Sequence, residues 1–282
     1  MEMVAVKSYQ PKKMPASIAG KYRELADLRR LFSSILSKSQ RASVCDALVL
    51  SLSRRHGVVY FDWNGLDVPA ASMRDVSGMH TVEFVNLLFS TSEYGDKESI
   101  SYELANIMQP YWSNWWSKFD LRSEDLASYI LECVLGDQQI LWISAQIARR
   151  SIRFSGEASP TLTRAIALVE DWILGRAQRR DLEPFKKELD DCTDSVDVSN
   201  EAPSASRDAV LTFFVEALSS PAAKVFQMVV QSSSYAEGFS LDMDADDEEL
   251  NSNIASARIC CANVARKIFT PTLITHASQG LR

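Results

Sequence analysis

The segments QQILWISAQIARRS (residues 138–151) and SPTLTRAIALVEDWILG (residues 159–175) carry the pattern that decides the fold. In the second, Ser159 can cap free backbone N–H groups, and Pro160 at the first helical position gives up no bond the helix needs. Leu162, Ala165, Ile166, Val169, Trp172 and Ile173 follow at spacings of three and four, which puts them on one face of a 3.6-residue helix. Gly175 stands just past the last apolar position, where a left-handed C-cap suits glycine. In the first segment Ile140, Leu141, Ser144, Ile147, Ala148 and Ser151 form a second stripe with Trp142 beside it. The connection Phe154–Ser159 is short and contains Gly156, so the two helices are expected to be antiparallel neighbours.

Helical periodicity extends outward from this pair. Ile18, Tyr22, Leu25, Leu28, Phe32 and Ile35 predict one helix. Val44, Ala47, Leu48 and Leu52 predict another, ending at His56-Gly57. Met79, Val82, Val85, Leu88 and Phe89 give a third, and Ile100, Leu104, Ile107 and Met108 a fourth that Pro110 is expected to stop. Leu126 to Val134, Leu182 to Leu189, Val210 to Leu218, Ala222 to Val230 and Leu250 to Ile268 continue the series. Residues 90–97, 190–205 and 232–249 read as polar loops. Val58–Trp63, Asn64-Gly65 and Leu66–Val68 carry the strongest short hairpin signal. The expectation is a mainly all-α fold: a bundle of about ten helices with one small β-hairpin near residues 58–68. A flexible arm is expected at residues 1–16, a single helical domain at 17–270 with room for two subdomains meeting near 136, and a loose tail at 271–282.

Composition narrows the function. The chain has 282 residues, is 46% hydrophobic and 24% charged, and holds only 10 glycines, which favours helix over a turn-rich β fold. A formal net charge of -7 argues against broad nucleic-acid or anionic-membrane binding and leaves room for a basic partner. The five cysteines are scattered with no C-x-x-C spacing, as expected of reduced thiols in a cytoplasmic setting. No apolar region follows the lysines near the N-terminus, and no run approaches the ~20 residues of a membrane span.

Three stretches are candidate partner-binding sites. Trp112, Trp115 and Trp116, within the aromatic run Tyr111–Phe119, could anchor a partner, core packing being the plainer role. Asp190, Asp191 and Asp194 form one acidic stretch; Asp242, Asp244, Asp246 and Asp247 form another. Either could steer a basic surface. The second resembles the start of an EF-hand loop but has Asp247 where Gly makes the turn and Asn253 where a bidentate Glu is needed, so no metal is expected. His56, His80 and His276 match no catalytic spacing, and no cofactor motif or catalytic residue is nominated. Arg149, Arg150, Arg153, Arg176, Arg179 and Arg180 lie near helix ends, where arginine complements the dipole.

The segment RAIALVEDWILGRA (164–177) is similar to the R-x-A-I-x-x-V-E-x-W-x-x-G-x-A segment of helical immunity proteins in bacterial polymorphic-toxin systems. Residues 205–236 and 261–269 fit the following helices in part, with Phe213, Phe214 and Phe226 where such proteins favour Ala. The resemblance covers at most the last half of the chain. It implies a bacterial cytoplasmic protein that recognises and neutralises another protein, and it brings no catalytic residue. The alternatives are a structural subunit of an assembly, or an enzyme whose pocket forms only in the fold.

Overall fold

A computed structural model describes residues 9–19, 27–58, 60–63, 66–69, 97–120, 124–155, 159–194, 201–241 and 246–269. The fold is mainly helical, with eleven α-helices among the described residues. Backbone contacts divide the chain into two compact units: Met1–Lys21 with Phe119–Thr270, and Tyr22–Lys118 with Pro271–Arg282. In the middle of the chain the division falls between Lys118 and Phe119. The sequence-predicted helix at 79–89 and the tail at 271–282 lie outside the described residues.

In the second unit α2 (Asp27–Ile35) and α3 (Lys38–His56) pack on α4 (Lys97–Ser117). Two local devices set the break between α2 and α3. Ser37 and Gln40 make a reciprocal capping box, with Gln40 N–H to Ser37 Oγ at 3.3 Å and Ser37 N–H to Gln40 Oε1 at 2.8 Å. Arg41 donates to the Leu36 carbonyl at 2.9 Å. The predicted stop at Pro110 does not occur. The helix runs through it because Ile100, Leu104, Met108 and Trp112 are all buried on one continuing face while Pro110 is exposed. Burial of that stripe outweighs the roughly 3 kcal/mol cost of an interior proline. Near residues 58–68, where the hairpin is expected, the sheet content among the described residues is one two-stranded ladder. What lies there is a pair of four-residue strands, β1 (Tyr60–Trp63) and β2 (Leu66–Pro69), antiparallel with Tyr60 opposite Pro69 and Trp63 opposite Leu66. A two-stranded ladder of that length is marginal by itself.

The first unit holds α1 (Ala16–Ala19), α5 (Glu124–Val134), α6 (Asp137–Ser151), α7 (Ser159–Ile173), α8 (Arg179–Asp194), α9 (Glu201–Glu216), α10 (Ala222–Leu241) and α11 (Asp247–Ile268). Helix α6 is its hub and packs against α1, α5, α7, α9, α10 and α11. Twelve of its fifteen residues are buried, so it is enclosed on every side and not on a single stripe. Helix α7 follows the expected pattern, with Leu162, Ala165, Ile166 and Val169 fully buried. Its end is a Schellman motif: Gly175 at φ 72° donates to Trp172 O at 2.9 Å, and Arg176 N–H reaches Asp171 O at 2.8 Å.

Two predicted loops are largely helix. Residues 190–194 continue α8, and 201–205 open α9. The acidic run contains no glycine or proline and rides on the buried stripe Leu182, Phe185 and Leu189. Pro203 falls in the first turn of α9, where no N–H bond is required. Residues 232–241 likewise extend α10. Their polar look is close packing: Ser233, Ser234, Ala236 and Gly238 are buried, and small side chains let α10 approach α11. At Gly238 an added Cβ would lie 2.7 Å from Ile254 Cγ1. Gly238→Ala should therefore lower stability by about 1–3 kcal/mol in urea unfolding, because overpacking outweighs the ~1 kcal/mol gain in helix propensity. An unchanged or higher midpoint would show that the two helices are not in contact there.

Candidate functional site

The structure separates the sequence-nominated residues into those the fold uses and those it leaves outward. Trp112 and Trp116 are buried, at 1% and 5% exposure, and take the core-packing role that is the plainer of the two in the sequence. Trp115 is half-buried and stacks on Trp112 with ring centroids 5.2 Å apart. Asp246 is the N-cap of α11 and accepts from Glu248 N–H at 3.1 Å and Glu249 N–H at 2.9 Å. Asp247, Glu248 and Glu249 fill the first turn, where the helix dipole favours them. Asp242 and Asp244 lie outside the described residues. Asp190, Asp191 and Asp194 sit at the C-terminal end of α8, with Asp191 exposed. His56 ends α3 and is exposed, while His80 and His276 lie outside the described residues. No group of three or more metal-ligating side chains gathers among the described residues.

The residues that the structure brings together are ones the sequence did not single out as a group. Glu170 on α7 is 4% exposed and gathers three partners. Gln146 Nε2 donates to it at 2.7 Å, Arg149 Nε at 3.2 Å, and Lys12 Nζ at 2.5 Å. Gln146 Oε1 in turn accepts from Lys12 N–H at 3.1 Å and from the Tyr9 hydroxyl at 3.3 Å. Burial raises the Tyr9 hydroxyl well above its usual range, so it stays protonated and able to donate. Residues 9–15, read as a free arm in the sequence, are thus hydrogen-bonded to α6 and α7. Behind them, Glu237 on α10 accepts from Arg150 at 2.5 Å and Arg153 at 2.9 Å. Burial, and then the Arg150 charge beside it, lowers the Arg153 pKa. The signal available in the sequence was polar residues interrupting the core face of α6. Gln139, Gln146 and Arg150 would all have read as surface positions.

A shallow cleft of about 230 Å³ lies between α8 and α9. Leu182, Phe214 and Leu218 contribute apolar lining, and Arg179, Glu183 and Lys186 contribute charge. Phe185 and Phe214 meet beside it at 5.9 Å.

No family profile, characterised protein or solved structure matches the chain. No helix among the described residues is long and apolar enough to cross a membrane.

Cys261 is fully buried on α11, and burial pushes its thiol from 9.0 up to about 11, whereas Cys260 beside it is half-buried. A pKa raised in the fold means that the native state holds the proton longer than the unfolded state. This contribution to stability is complete below pH 9 and lost as pH rises from 9 towards 11. Unfolding free energy measured across that range should fall, and Cys261→Ala should flatten the fall. A slope identical in the variant would count against the buried thiol.

Proposed function

We propose that this is a protein-binding module that recognises a basic partner through α8, in the manner expected of an immunity protein. The observation that carries this reading is the charge order of α8. Its first turn holds Arg179, Arg180 and Asp181, which accepts from Gln178 N–H at 2.7 Å, its C-terminal half carries Glu188, Asp190, Asp191 and Asp194, and no basic residue occupies the last turn. A helix dipole disfavours acids at that C-terminal end, by about 0.3–1 kcal/mol for each charge in the last turn. Helix α11 in the same unit obeys the dipole, with acids in its first turn and Arg266 and Lys267 in its last. The acids that open α11 therefore have a role in folding. Those that end α8 work against local stability, which supports a role in recognition.

Helix α8 is suited to this by its place in the unit. Leu182, Phe185 and Leu189 face inward, and Arg179, Arg180, Glu183, Lys186, Lys187, Glu188 and Asp191 are exposed. The cleft along its N-terminal half offers apolar lining beside that charged ridge, the combination of hydrophobic centre and polar rim from which protein interfaces are made. The resemblance of residues 164–177 to helical immunity proteins supports the same conclusion, and it points to a bacterial toxin-type protein as the partner in a cytoplasmic defence system.

The test is affinity capture with the wild type and with Asp191→Lys/Asp194→Lys, at low and high salt. The wild type should retain a basic protein at low salt and lose it at high salt. The variant should lose it at both, while unfolding at an equal or higher midpoint because lysine suits a helix C-terminus. A variant that keeps the partner, or that becomes markedly less stable, would contradict the reading.

A further inference from the structure

Two glutamines on α6 are placed as main-chain readers. Gln139 and Gln146 are both completely buried and stand two helical turns apart, ~10 Å along one face. Gln146 Oε1 accepts the backbone N–H of Lys12 at 3.1 Å. Gln139 Nε2 donates to the backbone carbonyls of Ile18 at 3.1 Å and Ala19 at 2.9 Å, while Gln139 Oε1 takes the Gly136 N–H at 2.9 Å. Between them the two side chains read both ends of a single segment, residues 9–19. Side-chain contacts add selectivity: the Tyr9 hydroxyl on Gln146 and the Lys12 ammonium on the buried Glu170 carboxylate. Backbone bonds for affinity combined with a few side-chain seats for specificity is how extended peptides are recognised.

The occupant is built to seat and to leave. Residues 9–15 have no regular secondary structure, and none of them is fully buried. Pro11 and Pro15 bias Gln10 and Met14 to extended backbone, so the segment gives up little freedom on binding. The Lys12 side chain is half exposed, entering from solvent to reach a carboxylate that is 5% exposed. The hydrophobic anchor of the segment is Ile18, at 1% exposure in α1. Exchange of 9–19 therefore uncovers polar groups and one apolar anchor, Ile18, and leaves the rest of the core covered.

We propose that this face of α6 and α7 is a peptide-binding groove, filled in the single chain by residues 9–19, and that it accepts the same segment from a second copy of the chain. Every contact that seats the segment is then reproduced across the two copies, and only the connection between segment and groove changes. Exchange of one identical element is a low-cost route to a dimer.

Two full-length variants test this. Lys12→Glu spoils the segment and leaves the groove intact; Glu170→Gln weakens the groove and leaves the segment intact. Mixed at equal concentration, they should form a one-to-one heterodimer in mass photometry that neither forms alone, because the intact groove of one takes the intact segment of the other. A labelled peptide of sequence YQPKKMPASIA (residues 9–19) provides a second readout in which Glu170→Gln need not fold well. It should bind the Lys12→Glu chain roughly tenfold or more tightly than the wild type, whose groove its own segment fills at high effective concentration. The same peptide with glutamate at the Lys12 position should not bind. A mixture that stays monomeric, or a peptide that binds neither chain or binds whatever its Lys12 residue, would overturn the proposal.

Discussion

The constraint on which the first unit depends is the complete enclosure of α6. A helix buried all round normally carries apolar side chains only. This one also buries Gln139, Ser144, Gln146, Arg150 and Ser151. Each such group costs a few kcal/mol if it finds no partner, so the surrounding elements must bring partners to it. Ser144 and Ser151 bond back to carbonyls one turn earlier, at 2.9 and 2.7 Å. Arg150 needs Glu237 from α10, Gln146 needs Glu170 from α7, and Gln139 needs the carbonyls of α1. These polar demands tie three different parts of the chain to one helix, and removal of one member of a buried pair costs about 3–5 kcal/mol. Trp142 Nε1 on the same helix has no acceptor among the described residues.

Electrostatics is therefore organised at two levels. Inside, charges are matched and give the unit a definite arrangement. Outside, the helices differ in how they treat their own dipoles. Helix α11 is capped and charged as a stable helix should be, and Asp246 alone satisfies two of its free N–H groups. Helix α8 ends on acids with no base in its last turn, and is held by its three inward side chains and its contact with α7. Its exposed Arg164–Glu188 pair at 3.1 Å adds little, as exposed pairs usually do. The contrast separates acids that cap and open a helix from acids that end one, a distinction that composition alone does not make.

Much of the helical pattern was legible because apolar spacing survives without knowledge of neighbours. The stripe of α7, its Ser-Pro start and its Gly175 cap read directly, since each is a local backbone requirement. What failed was where tertiary packing overrode local punctuation. Pro110 reads as a stop, yet the stripe from Ile100 to Trp112 holds the helix together across it. Residues 232–241 read as loop because Ser and Gly are turn residues, yet small side chains are what the close approach of α10 and α11 requires. The site residues were less legible still. Gln146, Glu170 and Lys12 are separated by up to 158 positions, and nothing in their own neighbourhoods marks them as partners. Three positions of the motif have a structural basis: Val169 is core, Glu170 is the hub of the polar network, and Gly175 adopts the positive φ.

Native-state hydrogen exchange tests the enclosure of α6 most directly. If the helix is held from all sides, its amides from Leu141 to Ala148 should exchange only through global unfolding of the unit, with the largest protection in the chain, while amides of α8 exchange through local opening at far lower free energy. Protection in α6 no greater than in α8 would contradict the account, since a helix that opens as readily as an edge helix cannot be the one on which the others are assembled.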